Sequence, residues 1–402
     1  MIQDIRLILL PVLLFTLGGR LLAAQPLPQV AASRPTDDAA LCARSLVSPG
    51  DTARLQRVLA KARRGESVTV AVIGGSITQG ALATKPERRY GNLVAAWWRQ
   101  QFPKAKIKFV NAGIGATGSN YGALRVRRDL LDQQPDFIVV EYAVNDPNTR
   151  EYAESLEGLL RQILPASGQP AVLLLFTMHH DGGNAQEWQS KLGRHYRLPM
   201  ISFRDALWPE IQAGRLKWQD VEADIVHPND RGHAYAARFI TAFLSNILRL
   251  LPAESRPATV AEPLPAPLIG DLFEHVALYE GDALKPVSNQ GWTYSPQDHR
   301  WKADKPGSVI EFEVEGTVVL AMHWVIRGPM GRARVAVDGG PSKELEGWFD
   351  QTWGGYHQSN EIARGLAPGK HRVRFEVLAD KHPQSTGFEF GIFGLGTALG
   401  RH

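Results

Sequence analysis

Four short segments carry side chains whose types suit nucleophilic catalysis if the fold brings them together. In Gly74-Gly75-Ser76-Ile77-Thr78 a serine follows two glycines that let the backbone turn sharply. A serine hydroxyl is a weak nucleophile until a base takes its proton, and that base needs an acid to orient it. Asp224-Ile225-Val226-His227-Pro228-Asn229-Asp230 supplies both. Pro228 biases His227 toward an extended backbone, so its ring projects from a loop, and Asp224 stands close enough in sequence to hold one imidazole nitrogen. The same segment reads equally as a helix cap with Asn229 or Asp230 at the N-cap, and both readings hold at once. An acyl-transfer site also needs donors for the oxyanion. The turn Ala112-Gly113-Ile114-Gly115-Ala116-Thr117-Gly118 offers backbone N–H groups, and Ala143-Val144-Asn145-Asp146 offers the Asn145 side-chain amide. No Gly-x-Ser-x-Gly elbow occurs, which argues against the α/β-hydrolase pattern.

The elements that must position these residues follow from the apolar pattern. Short β-rich runs at Val68–Ile73, Ile107–Asn111, Phe137–Tyr142, Ala171–Thr177 and Pro199–Ser202 alternate with helical stretches. The latter lie at residues 53–63, Tyr90–Gln101, around Leu124–Leu131, and at Tyr152–Leu164, Ala185–His195 and Asp230–Leu250. Near-continuous apolar strands between helices predict a parallel sheet covered on both faces, a three-layer α/β/α domain over residues 51–250. Ser76, the glycine-rich turn and Asn145 each follow a strand, at the carboxyl edge where α/β sheets place their ligands.

A Pro-rich linker at 251–268 then separates a second domain, 269–402. There the period changes to strands at Ser308–Val314, Thr317–Trp324, Ala333–Val337, His371–Val377 and Gly387–Phe393, which predicts a jelly-roll-like antiparallel β-sandwich. Trp324, within a strand, is expected in the sandwich core. Trp348, Trp353 and Tyr356, in a Gly-rich loop, are candidate platforms for a sugar ring. The polar loop Lys381–Gly387 either docks on the first domain or simply turns.

The chain has 402 residues, enough for two cores, with 44% hydrophobic and 21% charged residues. Its net charge of +4 is too small to imply nucleic acid, and no basic tract supports one. Arg6, the apolar run Leu7–Leu17 and the small pair Ala23-Ala24 read as a signal peptide over residues 1–24, hence export to periplasm or outside. No stable membrane insertion is expected once that leader is removed. Residues 25–50 read as linker and entry segment, and the single Cys42 as a small packed or linker residue, unable to form an intramolecular disulfide. The string Met178-His179-His180-Asp181 invites a metal reading, but adjacent histidines rarely converge on one ion. His179 and His180 are therefore candidates for lining a substrate pocket, and no metal is expected. Arg88, Arg89 and Arg125 could meet an acidic sugar or serve in ion pairs.

Taken in order, the four segments resemble the blocks of the SGNH hydrolases, the GDSL esterase/lipase family. Gly75-Ser76-Ile77 is similar to the nucleophile block, with Gly-Ser-Ile in place of Asp-Ser-Leu. The run from Asn111 to Gly118 is similar to the glycine block, Val144-Asn145-Asp146 to the asparagine block, and Asp224-x-x-His227-Pro228 to the final block. The likeness spans roughly residues 68–250 and leaves the β-sandwich unexplained. It implies that Ser76 attacks an ester carbonyl, His227 takes its proton and Asp224 orients the ring. Oxyanion donors would be the N–H of Ser76, the N–H of Gly115 or Ala116, and the Asn145 amide. Counting from Asn111, the family's glycine falls on Ala116, with Gly115 just before it, and both stay open. The mechanism needs no cofactor. By analogy the substrate is an O-acetyl group on a poly- or oligosaccharide. The alternatives are a lipid or thioester hydrolase, a polysaccharide O-acetyltransferase, and a non-enzymatic carbohydrate-binding or cell-wall assembly protein. The sequence does not set the oligomeric state.

Overall fold

The computed structural model describes residues 37–252, 263–352 and 354–400, so the expected leader and Trp353 lie outside the described residues. The first part runs α1 (Asp38–Ser45), β1 (Leu46–Ser48), α2 (Ala53–Arg63), β2 (Val68–Gly74), α3 (Ser76–Gln79), α4 (Tyr90–Gln101), β3 (Ile107–Gly113) and α5 (Ser119–Asp129). It continues with β4 (Phe137–Glu141), α6 (Arg150–Ile163), β5 (Ala171–Phe176), α7 (Gln186–His195), β6 (Met200–Ser202), α8 (Phe203–Gln212), α9 (Trp218–Val221) and α10 (Asp230–Leu250). The strands form one sheet in the order β1-β6-β5-β4-β2-β3, parallel throughout except at β1.

Period-two alternation along buried strands sends side chains to both faces. Val70, Val72, Val139, Leu173 and Leu175 pack with Leu59, Val94 and Ile240 on one side. Ala71, Ile73, Ile138, Val140 and Leu174 pack with Leu124, Leu156 and Leu160 on the other. The three-layer α/β/α architecture is therefore present. The irregular lead-in expected up to residue 50 needs correction, because α1 and β1 add a helix and an antiparallel edge strand. Asp37 caps α1 through Ala39 N–H, and Leu41 and Ser45 bury its inner side, too few positions to show a period in sequence. Cys42 packs partly buried against the core, and burial pushes its thiol up.

The second part runs β7 (Val276–Glu280), β8 (Pro286–Gln290), β9 (Thr293–Ser295), β10 (Arg300–Ala303), β11 (Val309–Glu315) and β12 (Val318–Val325). Then follow β13 (Arg332–Val337), β14 (Ser342–Glu346), β15 (Tyr356–Arg364), β16 (Lys370–Val377) and β17 (Phe390–Ala398). One antiparallel sheet is ordered β15-β12-β17-β10-β9, with β7 also pairing β17, and the other β14-β13-β16-β11-β8. Ile310, Phe312, Val335, Phe375 and Leu395 fill the sandwich between them.

Strand β12 divides its side chains between two cores. Val319 and Ala321 enter the sandwich, while Val318, Leu320 and Met322, together with Phe273, join the cluster of Leu124 and Leu156 in the α/β part. Polar ties fix the same junction. The buried Glu157 carboxylate accepts from the N–H groups of Leu268 (2.6 Å), Ile269 (2.7 Å) and Gly270 (3.1 Å). Glu280 accepts from Tyr121 Oη at 2.5 Å and pairs with Arg128, and Arg364 reaches Glu154 at 2.7 Å. The outer face of the β15-β12-β17 sheet thus stands against the α/β layer.

Candidate active site

Strand β2 lies between β3 and β4, and its last residue, Gly74, pairs with Gly113 and Glu141. A Cβ at Gly74 would strike the Glu141 carbonyl and the Thr78 side chain, and one at Gly75 would strike Asn145. Both glycines are thus required by close approach, and they deliver Ser76 at the first position of α3. Its hydroxyl lies 2.8 Å from His227 Nε2. His227 Nδ1 lies 2.7 Å from Asp224 Oδ2, while Asp224 Oδ1 accepts from the N–H groups of Val226 (2.8 Å) and His227 (2.7 Å). The carboxylate fixes the tautomer: Nδ1–H donates to Asp224, which leaves Nε2 to accept from Ser76. Burial alone would raise the Asp224 carboxyl, but the bonds from His227 and the two amides hold it below its ordinary value. Asn229 caps α10 through Arg231 N–H (2.9 Å) and Gly232 N–H (3.1 Å), so the cap and the His227 loop share one segment.

Asn145 sits in a tight turn in which its own N–H and that of Asp146 both bond the Tyr142 carbonyl, at 3.1 and 3.0 Å. Its side-chain Oδ1 is buried against Gly75 with no partner. Gly115 lies close enough that a Cβ there would be 3.9 Å from Ser76 Cβ. Ala116, not Gly115, carries the left-handed backbone, with φ of 57°. An alanine is strained there by roughly 1–2 kcal/mol and a glycine is not. These groups line a cleft of ≈ 710 Å³ whose opposite wall is Trp324, Gly355, Tyr356 and His357.

Residues 72–235 match the GDSL-like Lipase/Acylhydrolase family. The chain is 32% identical to a two-domain esterase (CEX) active on acetylated mannans, co-crystallized with mannopentaose, over 90% of this chain and 98% of that one, with a TM-score of 0.80. A second structure of that two-domain esterase matches at 32% identity, 90% and 99% coverage and a TM-score of 0.81. The chain belongs to the GDSL-like lipase/acylhydrolase family. No curated protein matches it in sequence.

Within this family member the remaining sequence candidates separate. His179 lines the cleft, its Nε2 3.0 Å from the Val144 carbonyl. His180 is exposed outside the cleft, where its N–H bonds the Ile225 carbonyl at 2.9 Å. Arg88 also lies outside, 3.6 Å from Asp230, and Arg125 is a fully buried strut to the carbonyls of Ala112 (2.7 Å) and Gly74 (3.2 Å). Trp348 corrects the expectation of a sugar platform: it is 7% exposed and stacked on His382 at 3.7 Å. That stack also turns the Lys381–Gly387 loop onto its own domain. Tyr356 does face the cleft.

Trp324 corrects the opposite way. Alternation puts it on the face of Val318, Leu320 and Met322 rather than in the sandwich core, so it reaches the cleft. That i, i+2 series was visible in the sequence. A Cβ at Gly355 would overlap the indole, and Arg300 lies 4.9 Å above the ring, so the platform is held on two sides. Sequence reasoning also missed His357 and the buried Glu222, whose carboxyl is pushed up to about 10 by burial and by the charge of Asp224. Neither lies in a segment that resembles a family block. Among the described residues, no three His, Cys, Asp or Glu side chains form a potential metal site.

Proposed function

We propose that the protein is an exported serine esterase that removes O-acetyl groups from mannan-type polysaccharides through an acyl-enzyme on Ser76. The hydrogen-bonded row Ser76–His227–Asp224 at the floor of the cleft carries this reading. Ser76 Oγ attacks the acetyl carbonyl as His227 Nε2 takes its proton, and Asp224 stabilises the imidazolium that forms. The oxyanion is held by the N–H groups of Ser76 and Ala116 and by the Asn145 amide, each donor supplying about 3 kcal/mol in the transition state. Ala116 is chosen over Gly115 because it has the backbone conformation that a glycine adopts without strain. His227 then returns the proton to the departing sugar oxygen. Water repeats the sequence on the acyl-enzyme and releases acetate.

The substrate class is supported by the two-domain relative, which is active on acetylated mannans and matches over 90% of this chain. It is supported too by the aromatic side of the cleft, where Trp324 and Tyr356 offer faces suited to a pyranose ring. Export rests on Arg6, the apolar run Leu7–Leu17 and Ala23-Ala24. The test is acyl-chain selectivity together with acetate release. Faster hydrolysis of p-nitrophenyl acetate than of the octanoate, and acetate release from acetylated glucomannan, are expected. Preference for the octanoate, or no release from any acetylated glycan, overturns the assignment. Acetate transfer to added oligosaccharide in excess of hydrolysis would make it a transferase.

A further inference from the structure

We propose that Glu141 is a positioning residue for this reaction: its carboxyl ties the Ser76 turn to the Asn145 turn, and turnover depends on that tie. The inference rests on the esterase reading above. Glu141 ends β4, in register with Gly74 at the end of β2, and is fully buried. One carboxyl oxygen accepts from Thr177 Oγ1 at 2.7 Å, just past β5. The other accepts at 3.1 Å from Thr78 Oγ1, two residues beyond Ser76 in α3. Thr78 Oγ1 lies 2.8 Å from Tyr90 Oη at the start of α4. The N–H of Ala143, two residues on in the turn carrying Asn145, also favours the ionised carboxyl. The ends of β2, β4 and β5 therefore meet at one side chain, with the nucleophile on one side and the oxyanion amide on the other.

An apolar residue would fill this space but could not orient the hydroxyls. Among the described residues no basic side chain bonds Glu141, and the titratable groups around it are Tyr90 from α4 and Tyr142 and Asp146 from the Asn145 turn. Arg125, from α5, stops at Tyr142 Oη (3.1 Å) and the Gly74 carbonyl (3.2 Å). Burial pushes the carboxyl up to about 7, against the pull of Thr177, Thr78 and Ala143. When it is ionised, both threonines donate to it and Tyr90 donates to Thr78. When it is protonated, the carboxyl must itself donate, and a hydroxyl turns away. The direction of the hydrogen bonds beneath α3 follows that one proton.

Glu141→Gln keeps the shape and replaces an acceptor by an NH2 group, which must face one of the threonine hydroxyls. With p-nitrophenyl acetate, E141Q is expected to lower kcat at least about tenfold while KM stays within about twofold, since misplaced groups in a near-native site act on turnover. The acid side of the wild-type kcat profile carries the protonation of Glu141, and in E141Q that protonation is absent. Thr177→Val and Thr78→Val should lower kcat in the same direction, which keeps the idea testable if E141Q does not fold. Unchanged kcat and an unchanged acid limb in folded E141Q, or unchanged kcat in both threonine variants, overturns it. A wild type that hydrolyses no ester would instead overturn the esterase reading and this proposal together. An active wild type with an unaffected E141Q overturns this proposal alone.

Discussion

The two sides of the cleft are built by different means. The floor is made of turns: Ser76, Ala116 and Asn145 each stand just beyond a parallel strand, and His227 precedes the α10 cap. Their positions are set by backbone geometry, in which Gly74 and Gly75 leave no room for a side chain and Ala116 takes a left-handed conformation. The facing side is made of strands: Trp324 points from β12 by simple alternation, and Tyr356 and His357 begin β15. Under the proposed mechanism, groups that meet the reacting atom are held by close-packed turns on one rigid sheet, whereas groups that would meet the rest of the substrate need only the right face of a strand.

That contrast can be broken from either side. The largest effect belongs to the floor: Ser76→Ala or His227→Ala should lower kcat/KM at least about a thousandfold on aryl acetates and on glycans alike, as measured by initial rates. Asn145→Ala should cost about a hundredfold or more on both substrates, since it removes one oxyanion donor. On the facing side, Trp324→Ala should raise KM for acetylated oligosaccharide about tenfold, the worth of one stacked ring, and leave p-nitrophenyl acetate within about twofold. An equal loss on both substrates would erase the distinction between the two sides.

Smaller effects sharpen it. Ala116→Gly relieves left-handed strain but gains unfolded-state freedom, so its stability by chemical denaturation should stay within about 1 kcal/mol of wild type, with kcat retained. Stability should also depend on pH through the floor. Glu141 and Asp146 are each pushed up to about 7 by burial, so the folded state keeps protons that the unfolded chain has already released above pH ~4–5. Their contribution falls as pH rises from about 5 through 7, and melting temperature should fall with it. E141Q should flatten that slope.

How far the sequence foretold the two sides follows from the same contrast. The strands under the floor are short, nearly unbroken apolar runs, and α2, α4 and α10 fall where their periodicity puts them. Ser76, Asn145, Asp224 and His227 could be picked out because serine-ester chemistry calls for particular residue types next to turns, and the fold brings Ser76, His227 and Asp224 into one hydrogen-bonded row. The choice between Gly115 and Ala116 did not, because it depends on φ and both residues are small. On the facing side β15 reads Tyr-His-Gln-Ser-Asn-Glu-Ile-Ala-Arg, and most of it is only partly buried, so it shows no apolar face. β8 and β14 are largely exposed and equally silent. Trp348 and Trp324 exchanged their expected places because a loop tryptophan found a stacking partner in His382, while a strand tryptophan lay on the outer rather than the inner face of its sheet.

The most direct test of the account is acetate release from acetylated mannan by purified wild type and by Ser76→Ala, followed at neutral pH. Steady release by wild type and none above background from the variant is the predicted result. Release that survives in Ser76→Ala, from protein free of other esterases, would contradict the assignment of Ser76 as the nucleophile.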